Sequence, residues 1–323
     1  MLLPRFVLCA FLVGLANMGS GVVLSQTYPT KAIRIITAEV GGGVDFTARL
    51  IAQGLSPDLG QQVIVENRGG ANGAIAGEMV AISPPDGYTL LLYGSPIWLA
   101  PFLRNKVPYD PVRDFSAITL AVSVPAILAV HPSLPVGSVK ELIALAKANP
   151  GKLNYASGSS GSSTHLATEL FKWMAEVNIV YIPFKGSTPA LNTLLGGQVQ
   201  VMFATVASVT LHVKSGRLRA LAVSTAEPST LTPGLPTVAA SGLLGYESVS
   251  IYGVFAPAKT PATIINRLNQ DIVRVLNRPD VKDKFLNVGI VTIGSSPEQF
   301  AAIVKSEMAR MGKVIRDVGI RDN

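Results

Sequence analysis

Apolar and polar positions along this chain follow two rhythms, short β-branched runs and longer segments with a helical period. The run 33–38 (IRIITA) reads as a strand that ends in Gly41-Gly42-Gly43, and Phe46, Leu50, Ile51 and Leu55 then share one helical face. Further strand candidates are 62–67, 88–94, 153–157, 178–184, 199–204 and 218–224. Between them, 163–175 and 188–195 read as helices, and Ser138 with Glu141 forms a capping box opening the helix 141–149. Thr260-Pro261 and Ser296-Pro297 each set a cap before a proline at a first helical position. The apolar run 117–130 contains Pro125 and is too short to cross a membrane, so it reads as buried strand. Such alternation predicts an α/β protein with parallel sheets covered by helices, and no repeat of fixed period is present.

The first residues follow a different logic. Arg5 precedes an apolar stretch from Phe6 to Ala16, and small and polar residues follow, with Val23 and Ser25 at −3 and −1 of a cut before Gln26. This is the order of a secretory signal over residues 1–25. Cys9, the one cysteine of the chain, lies inside it. The mature chain is then expected to be soluble in an exported compartment, with neither disulfides nor thiolate chemistry.

Composition narrows the function classes. With 323 residues, 48% of them hydrophobic and 15% charged, the chain can bury the cores of about two domains. Its net charge of +7 is spread without a basic stripe, and only 7% of residues are aromatic, so nucleic acid is not an expected partner. The three histidines, His131, His165 and His212, have no metal-ligand spacing, so neither metal nor cofactor is expected. Dinucleotide and phosphate-loop fingerprints are missing.

In such folds ligands sit beyond the carboxyl ends of parallel strands, where helix N-termini present unpaired N–H groups. Four turns combine small residues with hydroxyls: Gly41 to Asp45, Tyr93 to Ser95, Ser157 to Thr164, and Lys185-Gly186-Ser187-Thr188. The serine-rich turn follows a strand and opens an apolar-faced helix, an anion cradle that needs no formal charge. Asp45 suits a capping role, Lys185 a place beside an N-cap at Ser187, and Trp98 and Trp173 read as packing residues. His165 beside Ser159 and Ser163 could suggest a serine hydrolase, yet no G-x-S-x-G elbow and no orienting acid accompany it.

Ordered stretches across nearly the whole mature chain resemble the Bug family of periplasmic solute-binding proteins, receptors of tripartite tricarboxylate transporters. They include 28–37 (YPTKAIRIIT), 41–56 (GGGVDFTARLIAQGLS), 62–81 (QVIVENRGGANGAIAGEMVA), 85–95, 107–115, 138–171, 182–203 and 216–225. The resemblance implies a type II Venus-flytrap fold with two crossings between lobes, one lobe holding residues 26–125 and 226–323 and the other 126–225. It implies a monomeric, non-catalytic receptor that takes a small carboxylate in its cleft, with transporter membrane subunits as partners. A periplasmic sensor serving a signalling protein is the alternative within the binding class.

Carried onto this sequence, the family's ligand contacts fall on Gly42, Gly43, Asp45, Ser95, Ser157, Ser159, Ser162, Ser163, Thr164, Lys185, Gly186, Ser187 and Thr188. Ala204 joins them where relatives often have an aspartate, and Val44 stands where they have a threonine, with Glu39 nearby. Two apolar groups in place of polar ones lead us to expect an acid with an apolar or aromatic body in preference to aspartate or glutamate.

Overall fold

A computed structural model describes residues 28–38 and 40–321. The expected export signal, residues 1–25, and Glu39 lie outside these residues. The chain opens with β1 (Ile33–Thr37), α1 (Gly43–Leu59), β2 (Val63–Asn67), a 3-10 turn at Ala71–Gly73, α2 (Ala74–Ala81), β3 (Thr89–Gly94), α3 (Pro96–Leu103) and β4 (Phe115–Val124). It continues through β5 (Ala126–Val130), α4 (Val139–Ala148), β6 (Asn154–Ser157), α5 (Ser163–Ala175), β7 (Val180–Pro183), α6 (Ser187–Leu195), β8 (Val201–Thr205), α7 (Val206–Lys214) and β9 (Arg219–Val223). Then follow β10 (Ser250–Pro257), α8 (Ala262–Leu276), α9 (Pro279–Asn287), β11 (Val291–Thr292) and α10 (Pro297–Val318).

These strands form two sheets, one per lobe. The first runs β11-β4-β10-β3-β1-β2 and the second β7-β6-β8-β5-β9. In the first, β1 pairs parallel with both β2 and β3. In the second, β6 pairs parallel with β7 and β8. Parallel strands buried on both faces need continuous apolar sequence, and Ile33, Ile35, Ile36, Leu90, Leu91 and Leu92 are all fully buried.

The apolar run around Pro125 is not one strand. Its first part becomes β4 in the first sheet and its second part β5 in the other. Proline supplies no N–H to a ladder, and the chain changes sheets where the ladder has lost its donor. The second crossing, from β9 to β10, returns beside the first. Ser224, fully buried, ties them: its N–H donates to the Ala126 carbonyl at 2.8 Å and its Oγ accepts from the Ala126 N–H at 3.0 Å. The Ser248 N–H then donates to the Ser224 carbonyl at 2.9 Å.

Helices lock this frame. A Cβ on Gly54 of α1 would stand 2.4 Å from a Val275 methyl on α8, so the two helices meet at a distance only glycine permits. Ser296 and Gln299 complete a capping box at the start of α10. This helix packs on α3 of the first lobe and α5 of the second. The earlier capping expectations are half met. Ser138 accepts from the Glu141 N–H at 3.2 Å, but the Glu141 carboxylate takes the Gly137 N–H instead. In α8 the cap is Pro261, while the Thr260 hydroxyl donates to the Pro257 carbonyl. No helix among the described residues is long and apolar enough to cross a membrane.

A Ser224→Ala substitution leaves the buried Ala126 N–H without its acceptor, at a cost of about 1–3 kcal/mol. Denaturant unfolding should show a lower midpoint of that size with an unchanged slope.

Candidate functional site

The turns singled out in the sequence sit at the carboxyl ends of β1, β3, β6 and β7, where each strand hands over to a helix. The first glycine turn is exposed and is held from behind. Asp45, only 3% exposed, accepts the Gly41 N–H at 3.0 Å, Asn67 Nδ2 at 2.7 Å and Arg49 Nε at 3.0 Å. Burial pushes its carboxyl up, but these donors outweigh burial and hold it below the usual carboxylate range. Asp45 is thus turned inward as the turn's fastener. Gly42 is the N-cap of α1 with extended backbone, and nothing lies within 4 Å of where its Cβ would stand. The Tyr252 hydroxyl is 3.1 Å from a Cβ built on Gly43, and its ring is equally close to one built on Gly94. Tyr252 therefore joins the first turn to the β3–α3 turn.

On the second lobe, a Cβ on Gly158 would stand 3.5 Å from the Ser187 N–H and hydroxyl, so the serine-rich turn and the Lys185–Thr188 turn are neighbours. Gly186, with φ +107°, takes the N-cap position expected of Ser187, because only glycine readily adopts that angle. Lys185, Gly186, Ser187 and Thr188 are exposed, as is Ser159. Ser162 caps α5, accepting the His165 N–H at 3.4 Å, and its hydroxyl lies 3.4 Å from that of Thr164. Ser163 begins that helix. Ser157 is fully buried with no well-formed hydrogen bond to its hydroxyl, and the neighbouring Tyr181 phenol donates to the Gly158 carbonyl at 3.1 Å.

One expectation needs correction. Ala204 does not face the cleft. It is 1% exposed and packs in the second lobe's apolar core with Ile127, Ala129 and Leu194, so it offers no lining group there. The Ser95 hydroxyl points to α10 and donates to Glu307 Oε1 at 2.9 Å, while Trp98 Nε1 donates to Oε2 at 2.7 Å. Trp98 is fully buried and packs on Phe255 and Phe300, as a packing residue should.

His165 is also not what a hydrolase needs. Its Nδ1 accepts the Gly161 N–H at 3.0 Å, and its ring stacks on Tyr181 with centroids 4.3 Å apart. Burial lowers its pKa to about 4, opposed in part by the Glu169 carboxylate. The ring is neutral, with its proton on Nε2, and Nδ1 already occupied.

Some functional contacts had no isolated sequence signal. Asn72, in the Asn-Gly pair of the 3-10 turn, donates to the Ser160 carbonyl at 3.2 Å and so links the lobes. Arg321 adds a second tie, since its carbonyl accepts from the Ser160 hydroxyl at 2.9 Å and its guanidinium donates to the Phe102 carbonyl. Turn-forming Asn72 is readable in sequence, but its partner 88 residues away is not.

What these turns offer is helix N-termini with hydroxyls beside them, those of α5 and α6 next to each other, a chemistry that suits an anion. No group of His, Cys, Asp and Glu among the described residues could hold a metal ion. The family model of the tripartite tricarboxylate transporter family receptor matches residues 47–320. Protein BugT of Bordetella pertussis is 36% identical over 302 residues, 93% of either chain. The solved structure of R. palustris Rpa4515 with adipate is 37% identical, covers 91% of this chain and 99% of its own, and has a TM-score of 0.78. MatC from Rhodopseudomonas palustris with bound malate is 28% identical, covers 89% of this chain and all of its own, and has a TM-score of 0.75. By the extent of these matches, from α1 to the end of α10, this chain belongs to the tripartite tricarboxylate transporter receptor family, the Bug-type solute-binding receptors.

Proposed function

We propose that this protein captures a small organic carboxylate between its lobes in the periplasm and delivers it to the membrane subunits of a tripartite tricarboxylate-type transporter. Residues 1–25 are its export signal in this reading, and the lobes are 26–125 with 226–323 and 126–225. The observation that carries the proposal is that, in a chain of this family, helices α5 and α6 begin at neighbouring turns of the second lobe, and Asn72 of the first lobe bonds to Ser160 within one of them. Related structures hold adipate and malate. Backbone N–H groups at the starts of α1, α5 and α6 would bind the carboxylate, with the Ser162, Ser163 and Ser187 hydroxyls around them. Closure of the lobes is the step that binding drives.

The geometry of His165 argues against catalysis. With Nδ1 accepting from Gly161 and the proton on Nε2, the ring has no lone pair free to take a proton from Ser159 or Ser163. Its work is to hold the serine-rich turn in shape.

A thermal-shift screen with carboxylates tests the reading. A ligand present at ~100 times its dissociation constant adds about 2.7 kcal/mol of stability. A library of small mono- and dicarboxylates that leaves the melting temperature unchanged would refute it. Gly42→Ala should leave stability within about 0.5 kcal/mol, because its Cβ meets open space. The same change should weaken carboxylate binding by about 3- to 10-fold, the size of one lost neutral hydrogen bond. Unchanged affinity would remove the first turn from the site.

A pH experiment checks the role of His165. Its pKa is about 4 in the folded protein, below the ordinary value of 6.5, so the unfolded chain takes up this proton first as pH falls. Stability is unaffected above about pH 6.5 and falls between there and pH ~4, by about 3 kcal/mol in all. The His165 ring resonances should therefore stay unprotonated in NMR spectra down to about pH 5. Titration near pH 6.5 would contradict this.

A further inference from the structure

A cavity of about 780 Å³ lies where both lobes and both crossing segments meet. Ser95 and Leu120 contribute from the first lobe, Ser163 and Leu166 from the second, and the segments 225–230 and 245–249 from the second crossing. Helix α10 closes one side with Ile303, Glu307, Arg310 and Met311. The volume matches a pocket for a small organic molecule. Its walls mix hydroxyl and charged groups with an apolar side formed by Leu120, Leu166, Ile251 and Met311, all under 10% exposed.

The charge of this cavity is opposite to that of the cleft's helix N-termini. Three carboxylates, Glu227, Glu247 and Glu307, line it against one cation, Arg310. Arg310 is partly committed, since Nη1 donates to the Glu247 carbonyl at 2.6 Å. Each Glu307 oxygen receives one donor, from Ser95 or Trp98. A carboxylate oxygen accepts two hydrogen bonds, so each retains an acceptor position. Burial raises the Glu307 carboxyl above its ordinary value, and the Ser95, Trp98 and Arg310 contributions do not restore it. Glu307 therefore has room for one more donor at each oxygen.

We infer that the cavity is a specificity pocket for the body of the ligand: the protein selects a monocarboxylate whose apolar chain ends in a hydroxyl or ammonium that donates to Glu307. This rests on the proposed carboxylate-binding function. The ligand's own carboxylate takes the N-terminal end of α5, where Ser163 meets the cavity. A second carboxylate at the other end would meet the Glu307 carboxylate, with Glu227 and Glu247 exposed at the rim, and like charges brought together are costly. The expected ligand thus differs from adipate, although it can be as long.

Matched probes separate the alternatives, because 6-hydroxyhexanoate and adipate differ only at one terminus. Calorimetry should find 6-hydroxyhexanoate and 6-aminohexanoate bound at least about 10-fold more tightly than adipate, a difference of ~1.4 kcal/mol. Glu307→Gln should reduce that preference to about 3-fold or less while hexanoate binds within about 2-fold of its former affinity. A rim substitution that leaves the Glu307 bonds intact, Ile293→Trp, should cut hexanoate affinity by about 10-fold and spare acetate. Ile293 is 46% exposed, so the larger ring is accommodated without repacking a core. Adipate binding as tightly as the hydroxy acid would overturn the inference and leave carboxylate binding standing, as would an unaltered preference in folded Glu307→Gln or unaltered hexanoate affinity in Ile293→Trp. Failure of every one of these acids to bind would overturn both.

Discussion

Two strands of chain pass between the lobes, and the hydrogen bonds that Ser224 makes to Ala126 hold them side by side. The placement of the candidate ligand turns depends on that pairing. β4 and β5 are collinear in sequence but belong to different sheets, separated by a proline that cannot extend either ladder. Were the crossings free of one another, the helix N-termini of one lobe would have no fixed position relative to those of the other. Joined, they restrict how one lobe can move relative to the other. The Asn72–Ser160 and Arg321–Ser160 contacts then latch the lobes at the cleft's margin.

The proposed anion site is made almost entirely of neutral groups. Backbone amides at helix starts carry partial positive charge in fixed directions and need no counter-ion when empty. A buried arginine would impose a desolvation cost on the empty receptor and would hold a carboxylate more firmly, which suits a protein that must also release its cargo. Around the hinge cavity the polarity reverses, with Glu307 on a helix that touches both lobes. In the proposed complex one end of the ligand meets dipoles and the other an acid.

Much of this was legible in the sequence where the signal is local. The β-branched run before Gly41, the serine-rich turn before an apolar-faced helix, and the Ser296-Pro297 start of α10 each state their structure within a few residues. The helix α3 does not, because all of its residues are apolar or proline and no face is marked. Likewise α7 follows β8 with no turn between them, and α9 marks its core side with only Val281 and Phe285. Pro125 reads as a residue within a buried strand because nothing nearby reports that its flanks pair with different sheets. Ala204 reads as cleft lining by position, whereas the pleat turns its side chain into the core beside Ile127. The Ser95–Glu307 bond spans 212 residues, and only the folded arrangement of α10 over α3 brings it about.

At the centre of this account is a single acid clasped by backbone amides from both lobes. Residue-resolved amide hydrogen exchange, with and without a saturating carboxylate, tests that most directly. The account predicts that protection rises together at Gly42 to Val44 in the first lobe and at Ser163, Thr164 and Ser187 in the second. Protection confined to one lobe, or centred away from these helix starts, would contradict it.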